Sequence, residues 1–169
     1  AITGQVFSHL IGTDAFQETD AIGVMMPIVK HSFFIDRAED IEPAMVEAFH
    51  LAETGRQGPV HVDITKDAFI NSTKYFGDVQ PDLPGYRPTT EGSDYQIKRA
   101  LELISQAKKP IAIIGHGAML ANASHEVAEF LEKADIPAVS TLHGLSTIPD
   151  DHPNFISMLG MHGSVTANY

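Results

Sequence analysis

The sequence contains no cysteine, so a disulfide, a thiolate metal site and a cysteine nucleophile are all excluded. Their absence is compatible with a reducing compartment. Positive charge is scarce: 11 Lys and Arg stand against 22 Asp and Glu, a formal net charge of -11. That balance argues against a nucleic-acid footprint, which is basic, and against electrostatic docking on anionic membranes. No apolar run approaches the ~20 residues of a membrane-spanning helix. No signal peptide is legible. The nine histidines are scattered, without H-E-x-x-H or another ligand spacing, and read as solvated or core residues. The chain opens on Ala1 and stops at Tyr169 straight after an apparent motif, and the expectation is a piece of a longer protein. What remains is ordinary for a globular α/β protein: 43% hydrophobic and 20% charged residues. A length of 169 residues allows one domain or two small ones.

The pattern along the chain predicts two α/β segments. Ile2 to Val6 reads as the tail of a strand, followed by a loop in which Asp14 is placed to cap a helix. Asp20 caps a short apolar helix that Pro27 ends. Phe33 to Ile35 suggests a short strand. Asp40 then caps a helix running to about Thr54, with Ile41, Met45, Ala48, Phe49 and Ala52 on one face and Gly55 as its stop. Val60, Val62 and Ile64 alternate with His61 and Asp63 in a strand. From Lys66 to Asp94 periodicity gives way to Pro81, Pro84, Pro88 and several glycines, which predicts a surface linker and a domain boundary. Beyond it, Tyr95 to Ala107 is amphipathic, with Ile97, Ala100, Leu101 and Ile104 inward. A strand follows Pro110, apolar on both faces as in a covered parallel sheet. Gly115 to Ala118 reads as a turn, Asn122 caps a helix to about Lys133, Ile136 to Ser140 is a strand, and His143 to Phe155 is loop. The expected class is α/β with parallel sheets.

Several residues invite a functional reading. Gly115-x-Gly117 follows a strand, but the third position of the dinucleotide fingerprint is Leu120, so the motif fails. Arg56 lies just past a helix end, either as a cation set against the helix dipole or as one held by flanking turns toward a cofactor phosphate or ring. Lys30 sits in an apolar segment, where a lysine snorkels, is paired, or serves a function. The stretch Asp14-Ala15-Phe16-Gln17-Glu18 reads either as a strand-to-helix connection with one anchoring Phe or as a loop that carries chemistry at a strand end.

Four separated motifs are similar, in order, to the acetolactate synthase (acetohydroxyacid synthase) family of thiamine-diphosphate enzymes. They are Ile2–Val6 with Leu10–Thr19, Pro27–His31, Gly55–Ile64, and Leu159–Gly163. The resemblance thins between Lys74 and Ser93. It implies that residues 1–73 are the later part of a pyrimidine-binding domain, 74–93 a linker, and 94–169 the first part of a central flavin-binding domain. It implies that Phe16, Gln17 and Lys30 line the substrate pocket. Phe16 would form an apolar wall there, and Gln17 would hydrogen-bond a keto-acid oxygen. Gln5 would help position that loop. It implies that Arg56 contacts FAD, and that Gly115, Gly117, Thr141, Leu142, Leu159, Gly160, Met161 and His162 line its channel. The implied cofactors are thiamine diphosphate, Mg²⁺ and FAD. The carboxylate that faces the thiamine pyrimidine and the Gly-Asp-Gly…Asn motif for Mg²⁺ and diphosphate would lie outside this chain. The implied partners are pyruvate and other 2-keto acids, further domains of the same chain, a second copy in a dimer or tetramer, and a regulatory subunit. No nucleic acid and no membrane is implied, and the location is cytoplasmic. The implied activity, part of branched-chain amino-acid biosynthesis, is expected to be absent from this stretch alone. Another thiamine-diphosphate decarboxylase or oxidase of the same architecture, or a non-catalytic nucleotide- or flavin-binding module, stays open. Phe7 departs from the family pattern, in which proline usually follows Gly-Gln-Val at the mouth of a channel that takes sulfonylurea-type inhibitors.

Overall fold

A computed structural model describes all residues 1–169. The chain divides into two compact units, Ala1–Glu91 and Gly92–Tyr169, each with its own three-stranded parallel sheet.

In the first unit, β1 (Ile2–Gln5) leads through a long loop to α1 (Ala21–Met25). Then come β2 (His31–Ile35), α2 (Ile41–Glu53), β3 (Val60–Thr65) and α3 (Lys66–Ile70). The sheet order is β1-β3-β2. β3 is central, and all six of its residues are buried. Val60, Val62 and Ile64 pack with Ile35 and with Ala44, Ala48 and Leu51 of α2. His61 and Asp63 alternate with them and are just as buried, on the opposite face. The alternation in sequence is therefore inside-to-inside, with a polar row beneath the second face.

α1 forms as expected: the Asp20 carboxylate accepts from Gly23 N at 2.8 Å. Two other caps do not. Asp14 adopts φ 59° within a turn, and no helix follows it. Asp40 is already helical in backbone, because a 3-10 turn (Ala38–Asp40) runs straight into α2, and its side chain makes no cap bond. The buried stripe of α2 is Ala44, Ala48 and Leu51. Small residues there let the helix close on the sheet. Ile41, Met45 and Ala52 flank that stripe, and Phe49 stays 61% exposed.

Helix α3 interrupts the stretch expected to be irregular. Its five residues are too few to show a period, and the Thr65 hydroxyl caps it by accepting from Ala68 N at 3.4 Å. The proline-rich chain beyond it lies along α2. Glu42 accepts from Phe76 N at 2.9 Å and from Gly77 N at 2.6 Å. Glu47 accepts from Asp82 N at 3.2 Å, and Leu83 and Tyr86 pack against the core.

The second unit runs α4 (Asp94–Gln106), β4 (Ala112–Ile114), α5 (His116–Leu120), α6 (Ser124–Ala134), β5 (Ala138–Ser140), β6 (Phe155–Met158) and α7 (Val165–Asn168). The sheet order is β4-β5-β6. Its core is Ile114, Leu131, Ile136, Ala138 and Ile148. α4 offers only Ile104 to it, while Ile97 and Leu101 remain half exposed. Ile111 and Ile113 are likewise exposed, so this unit covers one face of β4 and not the expected two. Gly115 is the first residue outside α5 and not a free turn. Asn122 has φ 53° and precedes α6 without capping it. The segment expected as loop from His143 holds the end of a 3-10 turn (Leu142–Gly144) and leads into β6.

Candidate functional site

Parallel strands point their carboxyl ends the same way, and the loops there form the usual ligand crevice of an α/β sheet. In the second unit the register places Ile114, Ser140 and Met158 side by side. The next residues are Gly115, Thr141 and Leu159, so three of the sequence-selected stretches emerge together. The ladder extends into them: Thr141 N donates to Ile114 O and Leu159 N to Ser140 O, both at 2.9 Å.

Two kinds of glycine occur here. A Cβ on Gly144 would lie 2.2 Å from Ile114 O and 2.9 Å from Ile114 C, so this glycine is demanded by the fold. A Cβ on Gly115 or Gly117 would meet nothing within 4 Å. Gly115 has an ordinary extended backbone, with φ -108°, and Gly117 is helical. Neither position needs glycine for the fold, and both leave the backbone open to close approach. Gly160 has φ 105° and is bracketed by the Asn168 amide, which accepts from Gly160 N at 2.8 Å and donates to Gly160 O at 3.0 Å. This bracket presents Met161, 91% exposed, with His162 beside it. Leu142 is 64% exposed at the end of β5. The three strand-end stretches, 115–117, 141–144 and 159–163, hold His116, His143 and His162 and no carboxylate. The His116 and His143 rings lie 5.5 Å apart. The Ser140 hydroxyl is buried at the strand end without a hydrogen-bond partner. Such a lining accepts an anionic ligand without charge conflict. No group of three or more His, Asp or Glu is placed to hold a metal ion.

In the first unit the loop Val6–Thr19 leaves the carboxyl end of β1. Ser8 fixes its start, its N–H and hydroxyl donating to Asp67 at 2.9 and 2.5 Å, which holds the Asp67 carboxyl far below its ordinary range. The tip folds around Glu18, whose carboxylate accepts from Gly12 N and from Ala15 N. Those two bonds, Gly12's first, lower the Glu18 pKa. Phe16 and Gln17 stand on that tip, Phe16 90% exposed and Gln17 at φ 67°. A cleft of about 360 Å³ lies at the loop's base, lined by Gln5, Gly12, Glu18, Thr19, Phe34 and Asp63 among others. A larger hollow, about 660 Å³, lies elsewhere in this unit, between α2, α3 and the strap beyond them; it is apolar and holds none of the selected residues.

Lys30 is not at that cleft. Its Nζ donates to Leu51 O at 2.6 Å, Thr54 O at 2.7 Å and Tyr86 Oη at 2.7 Å, so all three donors are spent at the carboxyl end of α2. Arg56, three residues past α2, is exposed and makes no hydrogen bond or ion pair. Tyr86, Glu18, Asp67, Asp63 and Asn168 are positioning groups that sequence reading passed over. Their partners are set by the fold, and only the placement of Asp63 in an alternating strand carried a signal.

The state of Glu18 gives a pH dependence. A carboxyl whose pKa is depressed by folding contributes stability above its unfolded pKa and loses it as pH falls through the folded value. The Gly12–Glu18 turn is therefore expected to loosen below the ordinary carboxylate range, seen as an upfield shift of the Gly12 amide proton on acidification. Glu18→Gln should abolish that titration. An unchanged titration in the variant would assign it to another group.

Comparison with known proteins adds a family. A family model described as "Thiamine pyrophosphate enzyme, central domain" matches residues 97–169. The acetolactate synthase large subunit of Corynebacterium glutamicum is 48% identical over 167 residues, covering 99% of this chain and 27% of that protein. That of Haemophilus influenzae is 46% identical over 169 residues, covering 99% of this chain and 30% of that protein. The chain thus spans under a third of the length of the curated relatives it matches.

Proposed function

We propose that this chain, which belongs to the acetolactate synthase family of thiamine-diphosphate enzymes, is the part of such an enzyme that shapes the substrate pocket with its first unit and cradles FAD with its second. The observation behind the flavin assignment is the pair Gly115 and Gly117, open glycines that the fold does not require, in an acid-free row of strand-end loops.

The proposed reaction decarboxylates pyruvate and joins the two-carbon unit to a second 2-keto acid, within branched-chain amino-acid biosynthesis. Thiamine diphosphate, when bound with Mg²⁺, supplies the carbon nucleophile that allows CO₂ to leave. FAD, when bound, supplies a flat apolar ring and a diphosphate; the net reaction changes no oxidation state and requires no electron from it. Gly115, Gly117, Thr141, Leu142 and Leu159 to His162, all on the second unit, would hold the flavin. The residues present fit the flavin: backbone is open to approach, an unpartnered hydroxyl stands at a strand end, and no carboxylate opposes the diphosphate. No metal step is assigned to this chain.

On the first unit, Phe16 supplies an apolar wall that excludes water, and Gln17 donates a hydrogen bond to the keto-acid oxygen as negative charge develops. Lys30, its donors already engaged, supports the turn that carries Arg56. The proposed setting is a cytoplasmic homodimer or tetramer with a regulatory subunit.

A colorimetric assay for acetolactate tests this on the full-length protein supplied with pyruvate, thiamine diphosphate, Mg²⁺ and FAD. Acetolactate is the expected product, with none from the 169-residue stretch alone. Acetaldehyde or acetate instead would identify a decarboxylase or an oxidase. Flavin binding without turnover would leave a binding module.

Phe7 supports one further prediction. Its φ is -58°, a value proline adopts freely, and its N–H makes no bond. Phe7→Pro should therefore fold normally. A stiffer unfolded chain contributes about 0.4–1 kcal/mol. The lost contact of Lys66 with the Phe7 ring, at 5.1 Å, offsets about 0.5–1 kcal/mol. If the ring narrows an inhibitor channel, the same variant should bind a sulfonylurea about ten- to a hundredfold more tightly, the reverse of an overpacking cost of ~1–3 kcal/mol. Equal inhibition constants would show that Phe7 does not gate the channel.

A further inference from the structure

We infer that Asp63, acting through Gln5, is a positioning residue for the loop that carries Phe16 and Gln17; its importance to turnover rests on the reading that those two line the substrate pocket. Gln5 is the last residue of β1, and its amide closes the neck of the loop. Its Oε1 accepts from Val6 N at 2.9 Å, where the loop departs, and its Nε2 donates to Thr19 O at 2.6 Å, where it returns. The second Nε2 hydrogen goes to Asp63 Oδ2 at 3.3 Å.

Asp63 is itself held. It lies on the neighbouring strand with its Cα paired to that of Thr3, and it is 2% exposed. Thr3 Oγ1 donates to Asp63 Oδ1 at 2.6 Å and accepts from His61 Nε2 at 2.7 Å. A hydroxyl has one proton to give, so donation to Asp63 fixes His61 as the donor on the other side. Both Asp63 oxygens are thereby engaged, and the carboxyl cannot rotate without breaking a bond. No lysine or arginine pairs with it. A buried carboxyl without a cation is a costly choice for a strand whose other face is wholly aliphatic. Its benefit is directional. Asp63 orients Gln5, Gln5 fixes Thr19 O, and the adjacent Glu18 gathers Gly12 N and Ala15 N, which sets the tip bearing Phe16 and Gln17.

The test compares wild type, Asp63→Asn, Asp63→Ala and Gln5→Glu in the full-length protein. The readouts are kcat and KM for pyruvate per folded molecule, and amide exchange of residues 12–19. Alanine removes both acceptors, and asparagine retains one carbonyl oxygen. Gln5→Glu keeps the acceptor for Val6 N and removes both donors. The expected order of kcat is wild type, Asn, Ala, with Ala lower by about 10–100-fold, the scale of a displaced reacting group. KM should change far less, and exchange at Gly12 and Ala15 should quicken in the same order. Gln5→Glu, at a less buried position, should reproduce the Ala phenotype and stands in if Asp63→Ala does not fold. Unchanged exchange in the variants, or a kcat loss that merely follows loss of folded protein, overturns the anchor. Faster exchange with unchanged kcat supports the anchor and overturns instead the placement of Phe16 and Gln17 in the substrate pocket.

Discussion

Gly144→Ala is expected to destabilise the second unit by about 3 kcal/mol or more, the upper range for overpacking, because the obstacle is backbone and not a side chain that can swing away. The added methyl would stand 2.2 Å from Ile114 O, 2.9 Å from Ile114 C and 3.3 Å from the Gly115 Cα. Relief requires the 3-10 turn Leu142–Gly144 to lift from the end of β4. That turn continues from Thr141, whose N–H is bonded to the same Ile114 carbonyl. The lesion therefore reaches both the sheet and the strand-end loops. For a domain of this size the loss corresponds to a fall in Tm of roughly 10–20 °C. Thermal melts followed by circular dichroism measure it, and a Tm equal to wild type would mean that the turn is looser than its contacts imply.

Lys30→Met is the second large effect. The methylene stem is replaced almost isosterically, while Leu51 O, Thr54 O and Tyr86 Oη lose their shared donor. Hydrogen bonds from a charged donor contribute more than neutral ones, and a loss of about 2–4 kcal/mol is expected for the group. The strap around Tyr86 should loosen with it, since Tyr86 then meets α2 through Thr54 and the edge of the His50 ring alone. A spectroscopic signature accompanies this change. Lys30 donates to the Tyr86 hydroxyl, and Thr54 does so secondarily, which lowers the Tyr86 pKa. An alkaline absorbance titration should show an early Tyr86 step in the wild type that moves to higher pH in Lys30→Met. Retention of the early step would place the perturbed tyrosine elsewhere.

The parts of the fold legible in the sequence were those longer than their own period. α2 declared itself by spacing, and β3 by alternation between turn residues. Helices α3 and α5, five residues each, are too short to repeat, and both hid inside segments read as loop or turn. Asx residues misled in the other direction. Asp14 and Asn122 fit the cap pattern, but the same short polar side chains tolerate a left-handed backbone, and the chain uses them for that. Lys30 drew attention as a lysine in an apolar segment, but its partner Tyr86 lies 56 residues away in a proline-rich stretch with no pattern to predict contact. The strand-end loops were visible as motifs. Which of their glycines serve the fold and which leave room depends on the backbone that tertiary structure packs beside each, and motif spacing does not carry that.

That distinction provides the most direct test of the proposed flavin cradle. Gly117→Leu adds a side chain where nothing of the protein lies within 4 Å of the new Cβ, and it replaces a poor helix former with a good one. Titration of FAD fluorescence with full-length wild-type and Gly117→Leu protein, beside a thermal melt of each, separates ligand space from fold. The expected result is an unchanged or slightly higher Tm with FAD affinity weaker by about tenfold or more, ~1.4 kcal/mol per decade. Equal affinity for FAD in the two proteins would contradict the assignment of the β4–β6 strand ends as the flavin site.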